Sequence, residues 1–209
     1  VAPGAVRVIP DPSRARRATL IITTQDVMGQ LIPWPGLNPD EVGASIADAP
    51  ISLGVYEDGE PFRDEIDNRH TLVVGMSGAG KSMYGKIKIV SVAARRDTFV
   101  LVADLSKASQ TVGPIKRAVG WAAHTRADVR AMLAALQRAV AARGDYLGER
   151  QLPGWTPDCG LTLLYVHLEE AADLVDLDEL VRLLRTARST GIHIEISLQR
   201  ATWSNIDTD

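Results

Sequence analysis

The sequence predicts an α/β core built on a mostly parallel sheet, and three observations carry that expectation. A β-branched apolar run, His70-Thr-Leu-Val-Val74, passes through a glycine-rich loop into a helical pattern from Ser82 to Arg96. Two more apolar runs, Thr98–Ala103 and Leu161–Leu168, end in polar residues, and Ile192, Ile194, Ile196 and Leu198 alternate as a further strand. Helical stripes lie between these runs, which is the pattern of strands joined by helices.

The loop after the first strand is Gly75-Met76-Ser77-Gly78-Ala79-Gly80-Lys81-Ser82, which satisfies G-x-x-x-x-G-K-[ST] between a strand and a helix. Its glycines let successive N–H groups point inward at a phosphate, and the N-terminus of the next helix, which Met83 continues, adds its positive end. Lys81 then reaches the β/γ-phosphates, and the Ser82 hydroxyl is placed to ligate Mg²⁺. Met83, Ile87 and Val90 mark one face of that helix.

Strand Thr98–Ala103 runs into Asp104-Leu-Ser-Lys107. Polar residues at the C-terminal end of a strand face the ligand crevice in open α/β sheets, so Asp104 and Lys107 are site candidates; a solvated, salt-bridged pair is the alternative. From Thr125, with Asp128 completing a cap, Val129, Met132, Leu133, Leu136 and Val140 repeat at helical spacing as far as Gly144. Arg126, Arg130, Arg138 and Arg143 read as a solvated basic face, with a DNA contact as the alternative.

Strand Leu161–Leu168 ends in Glu169-Glu170. A nucleotide-hydrolysing site needs one carboxylate to hold Mg²⁺ and another to orient or deprotonate water, roles that fall to Glu169 and Glu170 respectively. Capping of the next helix is the other reading of such a pair. His167 reads as a structural histidine. Leu177, Leu180, Val181, Leu184 and Ala187 form a last helical stripe, ended by Gly191, and the final strand reaches Gln199-Arg200. Gln199 is placed to sense a γ-phosphate or an attacking water, with a backbone-bonded edge residue as the alternative.

At 209 residues, 45% hydrophobic and 23% charged, the chain can bury one sizeable core. Cys159 is its one cysteine, so it has no internal disulfide and no zinc-ligand spacing, as expected of a reducing compartment. No apolar run approaches the ~20 residues of a membrane span, and any membrane anchor is expected outside this chain. A net charge of −3 argues against a free-standing basic nucleic-acid binder without excluding contact through local loops. Residues 1–50 are proline-rich, with β-like runs at Val6–Ile9 and Ala18–Thr23, and read as an extended or β-rich lead-in to a core at 51–209. Ile51–Tyr56 followed by Glu57-Asp58-Gly59-Glu60 reads as the first arm and turn of a hairpin.

In this order the motifs resemble the FtsK/SpoIIIE family of DNA-pumping ATPases over roughly residues 50 to 203. The likeness rests on Leu53-Gly54-Val55 to Gly59 leading to His70–Ser82, on Val100–Asp104 to Lys107, on Glu169-Glu-Ala-Ala-Asp-Leu174, and on Ala187-Arg-Ser-Thr-Gly-Ile-His-Ile194 to Gln199-Arg200. The arginine- and alanine-rich texture looks more like the actinomycete conjugative-element branch than the chromosome-segregation branch. The resemblance implies a three-layer α/β sandwich of the RecA-like P-loop NTPase type, with the strand bearing Gln199 between the phosphate-loop strand and the strand bearing Glu169. It further implies ATP and Mg²⁺ as cofactors, double-stranded DNA as partner, and a homo-oligomer, a hexameric ring, often on the cytoplasmic side of a membrane. In such a ring Arg188, ahead of Gly191, is a candidate arginine finger, with a helix-terminal charge as its alternative.

Two departures stand out. Glu169 occupies a place where the family usually has aspartate, and Leu105-Ser106 replaces a proline common after the second-strand aspartate. The family continues past the last strand, so the chain is expected to be part of a longer protein. A DNA translocase is the first functional expectation; a type VII secretion-like ATPase moving protein, or an ATP-binding assembly module with little turnover, are the others.

Overall fold

A computed structural model of the chain describes residues 6–24, 26–27, 29–66, 69–107, 109–171 and 177–199. Arg200, Asp173 and Leu174 lie outside them. The chain divides into two units, Val1–Gly36 with Ser52–Asp64, and Leu37–Ile51 with Glu65–Asp209.

In the smaller unit β1 (Val6–Pro10) pairs antiparallel with β2 (Ala18–Ile22), as the apolar runs predict. Strands β3 (Ile51–Val55) and β4 (Pro61–Asp64) pair around the expected turn, where the Tyr56 N–H donates to Glu60 O (2.8 Å) and the Gly59 N–H to Tyr56 O (3.0 Å). Tyr56 and Phe62 meet edge to face across this hairpin.

The larger unit holds, among the described residues, a five-stranded sheet of β5 (Thr71–Val74), β6 (Thr98–Asp104), β7 (Trp121–Ala123), β8 (Leu163–Glu169) and β9 (Ile192–Leu198), in the order β5-β9-β8-β6-β7. Every described pairing within it is parallel. The strand leading to Gln199 therefore lies between the phosphate-loop strand and the strand ending in Glu169, as expected. Strand β7 and the turns before it, α2 (Ser109–Val112) and a 3₁₀ stretch (Gly113–Ala118), have no sequence signal, because three strand residues are too few to show alternation.

Helices sandwich this sheet. On one face α3 (Arg126–Glu149) and α4 (Leu177–Ala187) close the apolar core: Val129, Met132, Leu133, Leu136, Leu180 and Leu183 pack with Leu101, Val166, Leu168, Ile192 and Ile194. On the other lies α1 (Lys81–Ala93), whose buried face is not the expected one. Met83 is 62% exposed, and Gly85, Lys88, Ile89 and Val92 face the sheet instead. Apolar periodicity misleads here because a charged residue, Lys88, occupies the buried stripe.

Thr125 caps α3 as expected, its hydroxyl oxygen accepting the Asp128 N–H (3.1 Å). The helix continues past Gly144 because its last turns are anchored: Leu147 is buried and the Tyr146 hydroxyl donates to Cys159 O (3.1 Å). Arg143 departs from the expected solvated face. It donates to Thr190 O (2.8 Å) and Thr162 O (2.5 Å), and burial lowers its pKa. Behind α1, residues 37–51 are fastened by Gly43 N–H to Ala94 O (2.8 Å), by Ser45 and Ile46 to Asp97, and by a buried Arg95–Glu41 pair (3.1 Å).

Gly191 links α4 to β9 in the left-handed region, at φ 72°. A Cβ there would stand 2.3 Å from Trp155 Cδ1, and Trp155 is itself buried and held by its indole N–H to Leu161 O (2.7 Å). Gly191→Ala therefore adds steric overlap to backbone strain and is expected to destabilise the chain by more than about 2 kcal/mol. Urea unfolding measures this, and a loss under about 1 kcal/mol, the cost of backbone conformation alone, would show that Trp155 does not fix the turn.

Candidate active site

Four strand ends meet at one edge of the sheet. The register pairs Asp104 with Glu169, Glu169 with Ser197, and Val74 with Leu198, so β6, β8, β9 and β5 finish side by side. Ligand crevices form outside the carboxyl ends of strands in such sheets. The phosphate loop leaves β5 here, tied by the Gly75 N–H to Leu198 O (3.2 Å).

Residues Gly75 to Ser82 form an exposed to half-buried loop that turns through Gly78 and Gly80, at φ 82° and 92°, into α1. The Ala79 N–H donates to Met76 O (3.1 Å), and the Met83 and Tyr84 N–H groups donate to Gly80 O (both 3.0 Å). The Lys81 ammonium lies over the loop, donating to Gly75 O (2.5 Å) and Met76 O (3.5 Å). Ser82 accepts a hydrogen bond from the Lys107 ammonium (3.3 Å).

Lys107 is delivered there by Asp104. One carboxylate oxygen of Asp104 accepts the N–H groups of Ser106 (2.8 Å) and Lys107 (2.9 Å), forming a tight turn after β6. Burial alone would raise the Asp104 pKa, but these hydrogen bonds outweigh it and the value is lowered. Asp104 and Lys107 therefore stand at the site, and not as a solvated salt bridge.

Glu169 is buried beside Asp104, and the His167 imidazole holds it from below at 3.2 Å. That hydrogen bond is the main reason its pKa is lowered. Glu170 is half-buried and takes φ 52°, uncommon for a residue with a side chain, and its carboxylate accepts the Gln199 backbone N–H (3.2 Å). Glu170 and Gln199 are thus neighbours at the tips of β8 and β9. Arg188, in contrast, is exposed just ahead of β9, at the opposite edge of the sheet from the loop of its own chain.

Three further residues carry charge beneath the site, and sequence reasoning assigned none of them a part in it. His167 Nδ1 lies 3.0 Å from Glu195 Oε1, and the other Glu195 oxygen accepts from the Lys88 ammonium, which also donates to Tyr84 Oη (3.3 Å). Lys88, Glu195, His167 and Glu169 are all at most 3% exposed. Positive and negative groups alternate along this chain. With a carboxylate against each ring nitrogen, His167 donates from both and is an imidazolium; its pKa is raised to about 9, the carboxylates outweighing burial. Gly85 gives the ring room, since a Cβ there would stand 3.1 Å from His167 Cε1. His193, stacked on Tyr165, is instead kept neutral by burial and by the Lys88 charge, its pKa lowered to about 3. The available signal was a charged residue inside an alternating apolar strand, Ile194-Glu195-Ile196, which must find a partner when helices cover both faces.

The residues fit a nucleotide with Mg²⁺. Asp104 and Ser197, both buried, stand in register on either side of Glu169. Hard oxygen donors beside an ionised carboxylate and the Ser82 hydroxyl suit this ion, which is held by one or two protein groups plus phosphates. No cluster of three or more His, Cys, Asp or Glu among the described residues could hold a metal by itself.

Comparison with solved structures shows the same fold. The conjugation coupling protein TcpA of pCW3, a monomer form with ATPγS, is 17% identical, with a TM-score of 0.62 over 96% of this chain and 62% of its own. ATPases 2 and 3 of EssC from Geobacillus thermodenitrificans are 15% identical (TM-score 0.64, 82% of this chain, 37% of theirs). The cytoplasmic domain of the type VII secretion ATPase EccC from Thermomonospora curvata is 18% identical (TM-score 0.62, 82% of this chain, 24% of its own). The chain thus spans less than two thirds of the length of each. No protein-family model matches it, and no curated protein does. The larger unit has a RecA-like α/β core.

The buried charges predict how stability varies with pH. His167, raised to about 9, contributes stability that is complete below its unfolded value near 6.5 and is lost as pH rises through 9. His193, lowered to about 3, and Glu195, lowered to about 2, contribute stability that is lost as pH falls below their unfolded values of 6.5 and 4.5. The melting temperature is therefore expected to peak near pH 6.5 and decline on both sides. A flat profile from there to pH 9 would contradict a charged His167.

Proposed function

We propose that this chain is the nucleotide-binding core of an ATP-hydrolysing motor that moves double-stranded DNA. The observation that carries the ATPase reading is the meeting of Lys81 and Ser82 with Asp104, Glu169, Glu170 and Gln199 at one edge of a parallel sheet. The loop and Lys81 bind the triphosphate. Ser82 and Glu169 would hold Mg²⁺, which supplies charge neutralisation at the β- and γ-phosphates. Glu170 accepts a proton from the attacking water, and its strained backbone and its bond to Gln199 aim the carboxylate. Gln199 orients that water or senses the γ-phosphate. Lys107, already against Ser82, adds a second cation on the metal side of the site.

DNA is favoured over protein as the moved substrate by the reach of the likeness. The conjugation coupling protein aligns with 96% of the chain, smaller unit included, whereas the secretion ATPases align with 82%. This accords with the conjugative-element reading of the sequence. A homo-oligomeric, hexameric ring is part of this proposal: Arg188, at the edge opposite its own loop, would reach a nucleotide only across a subunit boundary. A membrane anchor outside this chain would hold the ring on the cytoplasmic side; among the described residues no helix is long and apolar enough to cross a membrane. The domain reading, a β-rich lead-in over 1–50 and a motor core over 51–209, belongs to the same proposal.

Two measurements test these readings. Lys81→Ala is expected to weaken ATP binding or block turnover, while Glu170→Gln keeps binding and loses ~10²–10⁴-fold in kcat, trapping ATP. Unchanged affinity and turnover in Lys81→Ala would sink the phosphate-loop assignment, and full hydrolysis by Glu170→Gln would move the base elsewhere. In the protein that contains this chain, double-stranded DNA is expected to stimulate hydrolysis. Stimulation by a secreted polypeptide, with none by DNA, would transfer the motor to protein transport.

A further inference from the structure

Lys81 and Lys88 lie seven residues apart on α1, close to two helical turns, so they share a side of that helix. Glu195 lies four residues before Gln199 along β9, and His167 two before Glu169 on β8. Three of the elements that carry the site, α1, β8 and β9, thus each send one charged side chain into the layer beneath it. There the groups join, Lys88 to Glu195 to His167 to Glu169, sealed from water and in alternating sign. We propose that Lys88, Glu195 and His167 are positioning residues: a buried ionic strut that holds α1, β8 and β9 in fixed register and aims the Glu169 carboxylate at the metal side of the site.

Stability alone does not account for such a strut. Paired charges buried in a core are on average no more stabilising than apolar groups of the same volume, because desolvation cancels most of their attraction. Their directional value is different. A carboxylate with one oxygen hydrogen-bonded to a buried histidine ring cannot rotate freely, and a strand bonded to the helix beside it cannot slide along the sheet. Gly85 supports this reading, since a larger residue there would push the ring away from the two carboxylates it joins. A misplacement of about 1 Å at a reacting group costs on the order of 100-fold in rate, so a strut of this kind acts on turnover far more than on binding.

The inference rests on the ATPase reading, and the test separates the two. The triple variant Lys88→Met, His167→Leu, Glu195→Leu replaces the strut by apolar groups and leaves every loop and strand-tip residue in place. Its melting temperature is expected to fall, because Glu169 stays buried without the His167 partner, while the fold is retained. Affinity for a fluorescent ATP analogue without Mg²⁺ should change by less than about threefold, the strengthening that Mg²⁺ brings should shrink, and kcat should fall about 10–100-fold with KM little changed. Glu195→Gln is the second variant, should the triple one fail to fold; it is expected to lower kcat in the same direction with KM unchanged. Wild-type kcat and wild-type Mg²⁺ response in a folded variant would overturn the strut while leaving the ATPase reading intact. A wild-type protein that binds no ATP analogue would overturn the ATPase reading, and the inference with it.

Discussion

Lys88 and Glu195 bury a full positive and a full negative charge between α1 and β9, and the rest of that face of the sheet is arranged around them. Ions taken out of water must find every partner they can, since an unpaired one costs several kcal/mol. The second oxygen of Glu195 accordingly takes His167, the other nitrogen of His167 takes Glu169, and the chain of partners surfaces at the strand tips. Burial, reinforced by the same ammonium, keeps the nearby His193 neutral, and the His167 ring sits close against a glycine of the facing helix. One pair of charges thus accounts for His167, Glu169 and Gly85 around it.

The two faces of the sheet divide the work. Against α3 and α4 the strands present Leu101, Val166, Leu168, Ile192 and Ile194, an apolar layer that holds β6, β8 and β9 rigidly parallel and level. Against α1 the same strands present Val102, Tyr165, His167, Glu195 and Ser197, growing more polar toward the C-terminal edge. The apolar face supplies the burial that orders the core. The polar face gives direction to the groups at the edge, where the phosphate loop, Asp104, Glu169 and the Glu170–Gln199 contact converge. The Glu169 side chain is clamped by His167, which restricts the freedom that its length would otherwise bring.

Much of this was legible in the sequence because it depends on local patterns. The strand–loop–helix at Thr71–Ala93, the level tips at Asp104 and Glu169, the Thr125 cap and the Gly191 turn each follow from a few adjacent residues with a definite conformational preference. What could not be read depends on pairing across the fold. The buried face of α1 was misjudged because Lys88 looks solvent-bound until Glu195, far along the chain, is brought beneath it. His167 reads as structural and is buried, but its bonds to two acidic groups follow only once β8 and β9 are neighbours. Arg143 was read as exposed for the same reason, its acceptors Thr162 and Thr190 arriving from distant turns. Strand β7 was missed because a short strand joins the sheet through its neighbour and not through its own composition.

In the proposed nucleotide site the strand tips meet the phosphate loop, and its metal side is set by Ser82 and by a Glu169 carboxylate clamped from below. A crystal structure of the protein with a non-hydrolysable ATP analogue and Mg²⁺ tests it most directly. The account predicts the triphosphate within the Gly75–Ser82 loop, Lys81 turned onto the β/γ-phosphates, the metal at the Ser82 hydroxyl with Glu169 contacting it or its waters, and the His167 bonds to Glu169 and Glu195 unbroken. Nucleotide bound away from this loop, or a metal reached only after Glu169 has released His167, would contradict it.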